Sequence, residues 1–284
     1  MVGRRRAGVN AWKTPTLPAI GTKDTLRRDD GRSVEIMDDV LRADLKEAIA
    51  DAFAGRGASE ETLALYARHA ALVLAENEHV NLTRITDPAE VALNHYLDCH
   101  RLLDFVSLSG RRVLDVGTGA GFPGIPLAIA VPDADFTLLD GTRKKIAVVE
   151  RAVLDLELGN ALPVWGRAEE HLRDRAAPRY DVLVARAVGR LVTLLRLLNP
   201  VRHLFGSLVC MKGPRAGEEI AECEAEGLIR HFPIDAVHPY ELPAGAGQRA
   251  IVVLRGTPPR RDRRGRDRDR RGRGRAGAKK RRGR

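Results

Sequence analysis

Long apolar runs are missing from this sequence. No stretch approaches the roughly 18 consecutive apolar residues that span a bilayer, and the basic segment from Met1 to Ile20 lacks the continuous apolar core of a signal peptide. A soluble, cytoplasmic protein with no membrane partner is therefore expected. Cysteine is scarce too. Cys99, Cys210 and Cys223 are odd in number and none has a Cys-x-x-Cys or Cys/His ligand spacing, which argues against a disulfide framework and against a zinc site. Buried thiols and no metal are expected.

Basic residues are abundant, but the formal charge of +10 is unevenly placed. Residues 258–284 hold fifteen Lys/Arg against three Asp, a net +12, and residues 1–32 hold eight against three, a net +5. Between them, residues 33–257 carry 25 basic and 32 acidic side chains, a net −7. A mildly acidic body is thus flanked by cationic ends. With 284 residues, 44% of them hydrophobic, the chain can bury a sizeable core, and one domain with appendages is the expected organisation.

The N-terminal arm, residues 1–36, mixes Gly, Pro and charge without a sustained apolar period and is expected to be disordered. Met37, Val40, Leu41, Leu45, Ile49 and Phe53 then recur at three-to-four spacing, the signature of one helix face. Ser59 has the character of an N-cap for a second helix with Leu63, Tyr66, Ala70, Val73 and Leu74 inward. Asp87-Pro88-Ala89-Glu90 combines a cap, a first-turn proline and an acid three residues after the cap, predicting a third helix that runs toward Phe105. Residues 37–108 are therefore a helical part. From Arg111 the period changes. Strands are predicted at Arg112 to Val116, Asp135 to Asp140, Leu162 to Trp165, Asp181 to Arg186, Ser207 to Lys212 and Ala250 to Arg255, with a weaker one near Ile234 to His238. Helices separate the first five, so residues 109–257 read as an α/β part whose parallel sheet is covered on both faces. Ligands of such sheets sit at the carboxyl ends of the strands near the switch in strand order.

The first strand runs into Gly117-Thr118-Gly119-Ala120-Gly121, where the chain must turn tightly and its backbone must approach a ligand. Gly119 to Gly124 also matches GxGxxG, a weak signal by itself. Two features favour S-adenosylmethionine (SAM) over a nicotinamide dinucleotide. Asp115 is a carboxylate inside an apolar strand and needs a partner such as a ligand ammonium or backbone amides; SAM carries an amino-acid moiety and NAD does not. Counted from Gly117, the sixth position is Phe122, not the glycine that lets a helix approach a pyrophosphate. Asp140, 23 residues after Gly117, can accept from both ribose hydroxyls. The loop after the third strand, with Ala168 and Glu169, is placed to border an adenine, while Glu170 is expected to be solvated.

The reacting group should lie by Ala185-Arg186-Ala187-Val188, at the end of the fourth strand. The Asn/Asp-Pro-Pro-Tyr/Phe loop used to methylate amides and exocyclic amines is absent, and Cys210 falls in a predicted strand, not in a nucleophile loop. Guanine N7 carries an exposed lone pair and needs no general base, so positioning and electrostatics suffice. Arg186 could hold base or phosphate there.

The residues resemble the bacterial small-subunit rRNA guanine-N7 methyltransferases, the RsmG or glucose-inhibited division protein B family. The likeness rests on Asn81-Leu82-Thr83, His95-Tyr96-Leu97-Asp98, the run from Asp115 through Gly117, Gly119 and Phe122 to Leu127, Leu138-Leu139-Asp140, Arg167 to Glu170, Arg186-Ala187-Val188 and Lys212-Gly213, and covers roughly Met37 to Arg255. It implies a Rossmann-like class I SAM-dependent methyltransferase fold, with a mostly parallel seven-stranded sheet and a helical N-terminal region. It also implies methyl transfer from SAM to guanine N7 in the decoding-region loop of 16S rRNA, free or in an assembling small ribosomal subunit. Carried over by residue, Asp115, Gly117, Gly119 and Phe122 line the cofactor, Asp140 takes the ribose, Ala168 and Glu169 flank the adenine, and Arg186 closes the site on the substrate side. His95, Asp98 and Asn81 are expected to hydrogen-bond the helical region to the sheet, and His95 is not expected to be catalytic. Lys212 and the Arg-rich tail, residues 260–284, are candidate RNA contacts, the tail as a disordered, salt-dependent grip on phosphates. Gly141 departs from the family, which usually has Ser there. A methyltransferase of another RNA, a protein or a small molecule, an NAD-dependent oxidoreductase, and a non-enzymatic RNA-binding protein remain as alternatives.

Overall fold

The computed structural model describes the backbone of residues 31–256 and the side chains of residues 39–256. Two units divide the chain, residues 1–39 and 40–284, and of the first only the opening of a helix is described. Of the ends expected to be disordered, residues 1–30 and 257–284, with the Arg-rich tail, lie outside the described residues, whereas residues 31–36 form the first turns of a helix and correct that expectation.

Helix α1 covers Gly31–Ala52, starting ahead of Met37, and buries Leu45 and Ile49. Helix α2, Glu60–Val80, starts where Ser59 Oγ accepts the Thr62 amide at 3.1 Å. A chain of short helical segments follows: α3 at Pro88–Val91, capped by Asp87, a π-helical stretch at Ala92–Leu97, α4 at Asp98–His100 and a 3-10 turn at Arg101–Asp104. The predicted third helix thus reaches the neighbourhood of Phe105, but not as one α-helix. Its π-helical stretch carries Asn94 and His95, and Asp98 follows directly. Such widened turns re-aim side chains at functional sites.

The sheet has seven strands in the order β3-β2-β1-β4-β5-β7-β6: β1 Arg112–Val116, β2 Asp135–Asp140, β3 Ala161–Trp165, β4 Tyr180–Arg186, β5 Phe205–Lys212, β6 Ile234–Leu242 and β7 Gly247–Arg255. The first five are parallel, and β7 runs antiparallel to both β5 and β6. Helices α5 (Gly124–Ala130), α6 (Arg143–Asp155), α7 (Ala168–Arg173), α8 (Leu191–Leu198) and α9 (Ala216–Ala225) cover its faces. Strand order reverses between β1 and β4, which opens a crevice at their carboxyl ends.

Two cores lie on opposite faces of the sheet. Val113, Val182, Val184, Val209 and Met211 pack toward the N-terminal helices and α5, whereas Leu114, Leu183, Ala185, Leu208 and Cys210 pack toward α8 and α9. Side chains alternate along a strand, so Asp115, Arg186 and Arg249 share the face of the N-terminal helices, and Lys212 takes the other. This parity sets which polar groups can meet.

The helical region is tied to the sheet by buried polar contacts. Tyr66 donates to the Pro126 carbonyl at 3.0 Å. His69 Nε2 lies 3.1 Å from the Ala120 carbonyl and Nδ1 lies 2.9 Å from the Tyr96 hydroxyl. A carbonyl only accepts, so Nε2 carries the proton and Tyr96 donates to Nδ1. Burial lowers the His69 pKa to about 3, which keeps the ring neutral and its tautomer fixed.

Candidate active site

A cleft of about 470 Å³ opens at the carboxyl ends of β1, β2 and β4, within the range of small-molecule sites, roughly 300–1,000 Å³. Its floor is the loop after β1. The amides of Gly117 and Thr118 donate to the Leu139 carbonyl at 2.8 and 2.9 Å, which binds the loop to the end of β2. Gly117 has φ 73°, and a Cβ there would meet Val188 at 3.0 Å. A side chain would be strained and would crowd the cleft wall.

Asp140 ends β2 and faces the cleft. Its Oδ2 accepts the Gly119 amide at 3.0 Å and its Oδ1 accepts the Thr142 amide at 2.7 Å. Two backbone bonds hold the carboxylate still and leave further lone pairs for a ligand. Gly117, Gly119, Phe122 and Arg186 line the same cleft, so the structure brings these predicted site residues together.

Asp115 is placed differently. It is fully buried behind the loop, outside the cleft lining, and its Oδ2 accepts the Gly124 amide at 2.9 Å. Burial pushes its carboxyl up to about 7, against the opposing pull of the Thr118 hydroxyl and the Gly124 amide. Oδ1 has no hydrogen-bond partner of good geometry among the described residues. One of the partners that an acid in this strand requires is thus the Gly124 backbone amide. Ala168 and Glu169 open α7 and also stand outside the cleft lining, and the Glu169 Oε2 is buried without a hydrogen-bond partner.

Arg186 ends β4 with its side chain turned into the helical region, 16% exposed against 5% for Asp98. Nε bonds Asp98 Oδ2 at 3.1 Å, Nη1 reaches the Cys99 sulfur at 3.3 Å, and Nη2 donates to the Asn94 carbonyl. Asp98 Oδ1 accepts from Tyr240 at 2.7 Å, and Asn94 Oδ1 accepts from Arg249 at 3.0 Å. The guanidinium is therefore committed to the protein, while its edge borders the cleft.

His95 lies beside it. Nδ1 is 3.4 Å from Arg186 Nη2, and Nε2 is 3.0 Å from Thr83 Oγ1. Arginine only donates, so Nδ1 accepts and Nε2 donates to Thr83. Burial, with the Arg186 charge adding to it, lowers the His95 pKa to about 4. The neutral ring stacks on Phe122 with centroids 4.7 Å apart, and the Arg186 guanidinium lies 5.9 Å from the Phe122 centroid.

Lys212 does not face this cleft. Strand parity turns it to the opposite side of the sheet, where its ammonium, 10% exposed, bonds Glu219 at 2.8 Å and the Gly189 carbonyl at 2.9 Å. Its ammonium thus ties β5 to α9 and to the loop after β4. Asn81 is also corrected. It ends α2 in a left-handed conformation and is exposed, and it is Asn77 whose side-chain oxygen accepts the Leu82 and Thr83 amides. Tyr240 and Arg249 are joined to the seam only by tertiary structure, although strand parity pairs Arg249 with the face of Arg186, whereas the Asn77 contacts are local, five and six residues along the chain, and have no spacing motif to mark them. The three thiols are buried, and burial raises Cys99 and Cys210 to about 12 and Cys223 to about 11.

Comparison with known proteins gives one consistent result. A family model described as rRNA small subunit methyltransferase G matches residues 61–243. A Ribosomal RNA small subunit methyltransferase G of Carboxydothermus hydrogenoformans is 36% identical over 214 residues, covering 74% of this chain and 91% of that protein. Its namesake from Deinococcus radiodurans is 40% identical over 206 residues, covering 70% and 81%. That of Solibacter usitatus is 39% identical over 197 residues, covering 69% and 91%.

Asp98→Ala leaves Arg186 buried without its counter-charge. It is expected to cost about 3–5 kcal/mol, read from the denaturant midpoint, and Arg186→Met in the same chain should recover part of the loss. The His95 ring is also expected to make stability fall on acidification. Its folded pKa, about 4, lies below the ordinary 6.5, so between those values the unfolded chain binds more protons and stability drops as pH falls. His69 acts in the same direction, and Asp115, raised to about 7, opposes both. Thermal melts between pH 6.5 and 4 should therefore show a shallower loss for His95→Gln than for the wild type.

Proposed function

The chain belongs to the rRNA small subunit methyltransferase G family, and from that premise we propose that it transfers the methyl group of SAM to N7 of a guanine in the decoding-region loop of 16S rRNA, in the cytoplasm. One observation carries the choice of N7. The ionisable side chains at the β4 end of the cleft are already committed, Arg186 to Asp98, Asn94 and Cys99, and His95 to Thr83 and Arg186. A wall of that kind suits a nucleophile that brings its own lone pair and has no proton to surrender.

The residues present fit the cofactor. Asp140 is fixed by two amides and suits the ribose hydroxyls. Gly119, where a Cβ would meet nothing nearer than 4.0 Å, leaves room for a ligand against the loop backbone, and the orphaned Glu169 Oε2 suits the exocyclic amine of adenine. When bound, SAM supplies an electrophilic methyl whose transfer to N7 moves the positive charge from sulfur to the guanine ring. The chain's task is to tolerate that charge and to aim the two partners. Asp98 offsets the Arg186 charge, so the guanidinium at the cleft wall repels a sulfonium less. The neutral His95, stacked on Phe122, adds no positive charge to this wall. Asp115, through its bond to the Gly124 amide, keeps the loop in shape.

With isotope-labelled SAM, label is expected in 16S rRNA as 7-methylguanine when small subunits or naked rRNA are offered; label confined to protein would overturn the reading. Asp140→Ala should raise the SAM dissociation constant about tenfold or more, the scale of lost charge-assisted hydrogen bonds, as read by calorimetry.

A further inference from the structure

An exposed indole stands with Arg143 and Arg167 where β2 and β3 end, and Lys144 and Lys145 follow Arg143 in the first turn of α6. Trp165 closes β3 with 59% of its surface exposed and donates Nε1–H to the Gly141 carbonyl at 3.1 Å. The Arg143 guanidinium lies 5.7 Å from the centroid of its ring. Arg167 packs against the same turn: a Cβ on Gly141 would stand 3.1 Å from its Nη1. The glycine at this position thus lets the guanidinium lie close to the backbone that anchors the indole. Arg143, Lys144 and Arg167 are exposed, and Lys145 and Arg167 reach the cleft lining. None of these four cations has an ion pair among the described residues. Other surface arginines do, among them Arg68 with Asp155, Arg151 with Glu76 and Arg196 with Glu226. Of the acids close by in sequence, Asp140 is bound to backbone amides and assigned to the ribose, Glu169 is assigned to the adenine, and Glu170 is exposed.

On a body of net −7, an unpaired cationic cluster around a fixed, solvent-facing aromatic is the pattern that binds a nucleic-acid strand with its bases unstacked. We propose that this rim docks an unpaired nucleotide of the RNA substrate that flanks the target guanine, its base stacked on Trp165 and its backbone phosphates held by Arg143, Lys144 and Arg167. The inference rests on the RNA reading above and adds where the strand lies. A duplex is a poor occupant because its bases offer no free face to an indole. The nucleotide is a neighbour and not the target, because β3 and β4 are three places apart in the sheet, about 14 Å at the usual strand spacing. The indole is held before binding by its bond to Gly141, which lowers the ordering cost of stacking.

The test uses the full chain, SAM, and both naked 16S rRNA and small subunits as methyl acceptors. Trp165→Ala is expected to raise KM for the RNA about tenfold, with Trp165→Phe recovering most of it, the scale of one base-aromatic stack. Arg143→Gln with Lys144→Gln should weaken RNA binding and reduce its salt slope by about 1.5, the effect of two phosphate contacts. The SAM dissociation constant, measured by calorimetry on the same variants, should stay within about twofold of the wild type. Unchanged RNA KM and salt slope would overturn the proposal, as would a rise in the SAM constant alone, which would assign Trp165 to the adenine. Loss confined to intact subunits, with naked rRNA unaffected, would point to a ribosomal protein and overturn it too. If wild-type protein placed label on protein only, the RNA reading itself would fail, independently of these variants.

Discussion

The pairing of Asp98 with Arg186 is the contact on which the rest of the site depends. A carboxylate this deeply buried is tolerated only when its lone pairs are filled and its charge is offset, and Asp98 has Arg186 at 3.1 Å and Tyr240 at 2.7 Å. Because Arg186 ends β4 and Asp98 follows the π-helical stretch, the pair fixes the helical region over the carboxyl end of the sheet. It also fixes the direction of the guanidinium, and hence which His95 nitrogen carries a proton, since Nδ1 must accept. The stack of His95 on Phe122 follows from that. At the β4 end of the cleft this pair offsets the positive charge that Arg186 would otherwise set beside a sulfonium.

Much of the fold was legible in the sequence. Strands β1 and β2 end where their Val/Leu runs end, and β3 to β5 begin one or two residues earlier than the apolar pattern suggests, at Ala161, Tyr180 and Phe205. The β6–β7 hairpin is longer than predicted because its outward positions, such as Glu241 and Gln248, are polar and read as loop, while cross-strand pairing extends it to Leu242 and Gly247. Ser59 and Asp87 act as caps because their side-chain oxygens sit three residues from a free amide, a local relation that spacing reveals.

The site was legible in part. The glycine loop and Asp140 depend on local chain geometry and stand together at the cleft. Arg186 reaches the cleft, but its hydrogen bonds go to Asp98, Cys99 and Asn94, which only the packing of helices on the sheet could show. Lys212 ends β5 as expected, and its side is set by strand parity: two residues beyond Cys210 on the same strand, it shares the face of α9 and not that of Arg186. The charge of the chain tells a similar story. Its loudest signal, the Arg-rich end, lies outside the described residues, whereas the quieter group around Trp165 emerges only when β3 is set beside the start of α6.

Methyl transfer to guanine N7 is most directly tested by mapping 7-methylguanine across 16S rRNA from cells with and without this gene. One guanine in the decoding-region loop is expected to lose its methyl group when the gene is removed and to regain it when the intact gene is restored. An identical 7-methylguanine map in both strains would contradict it.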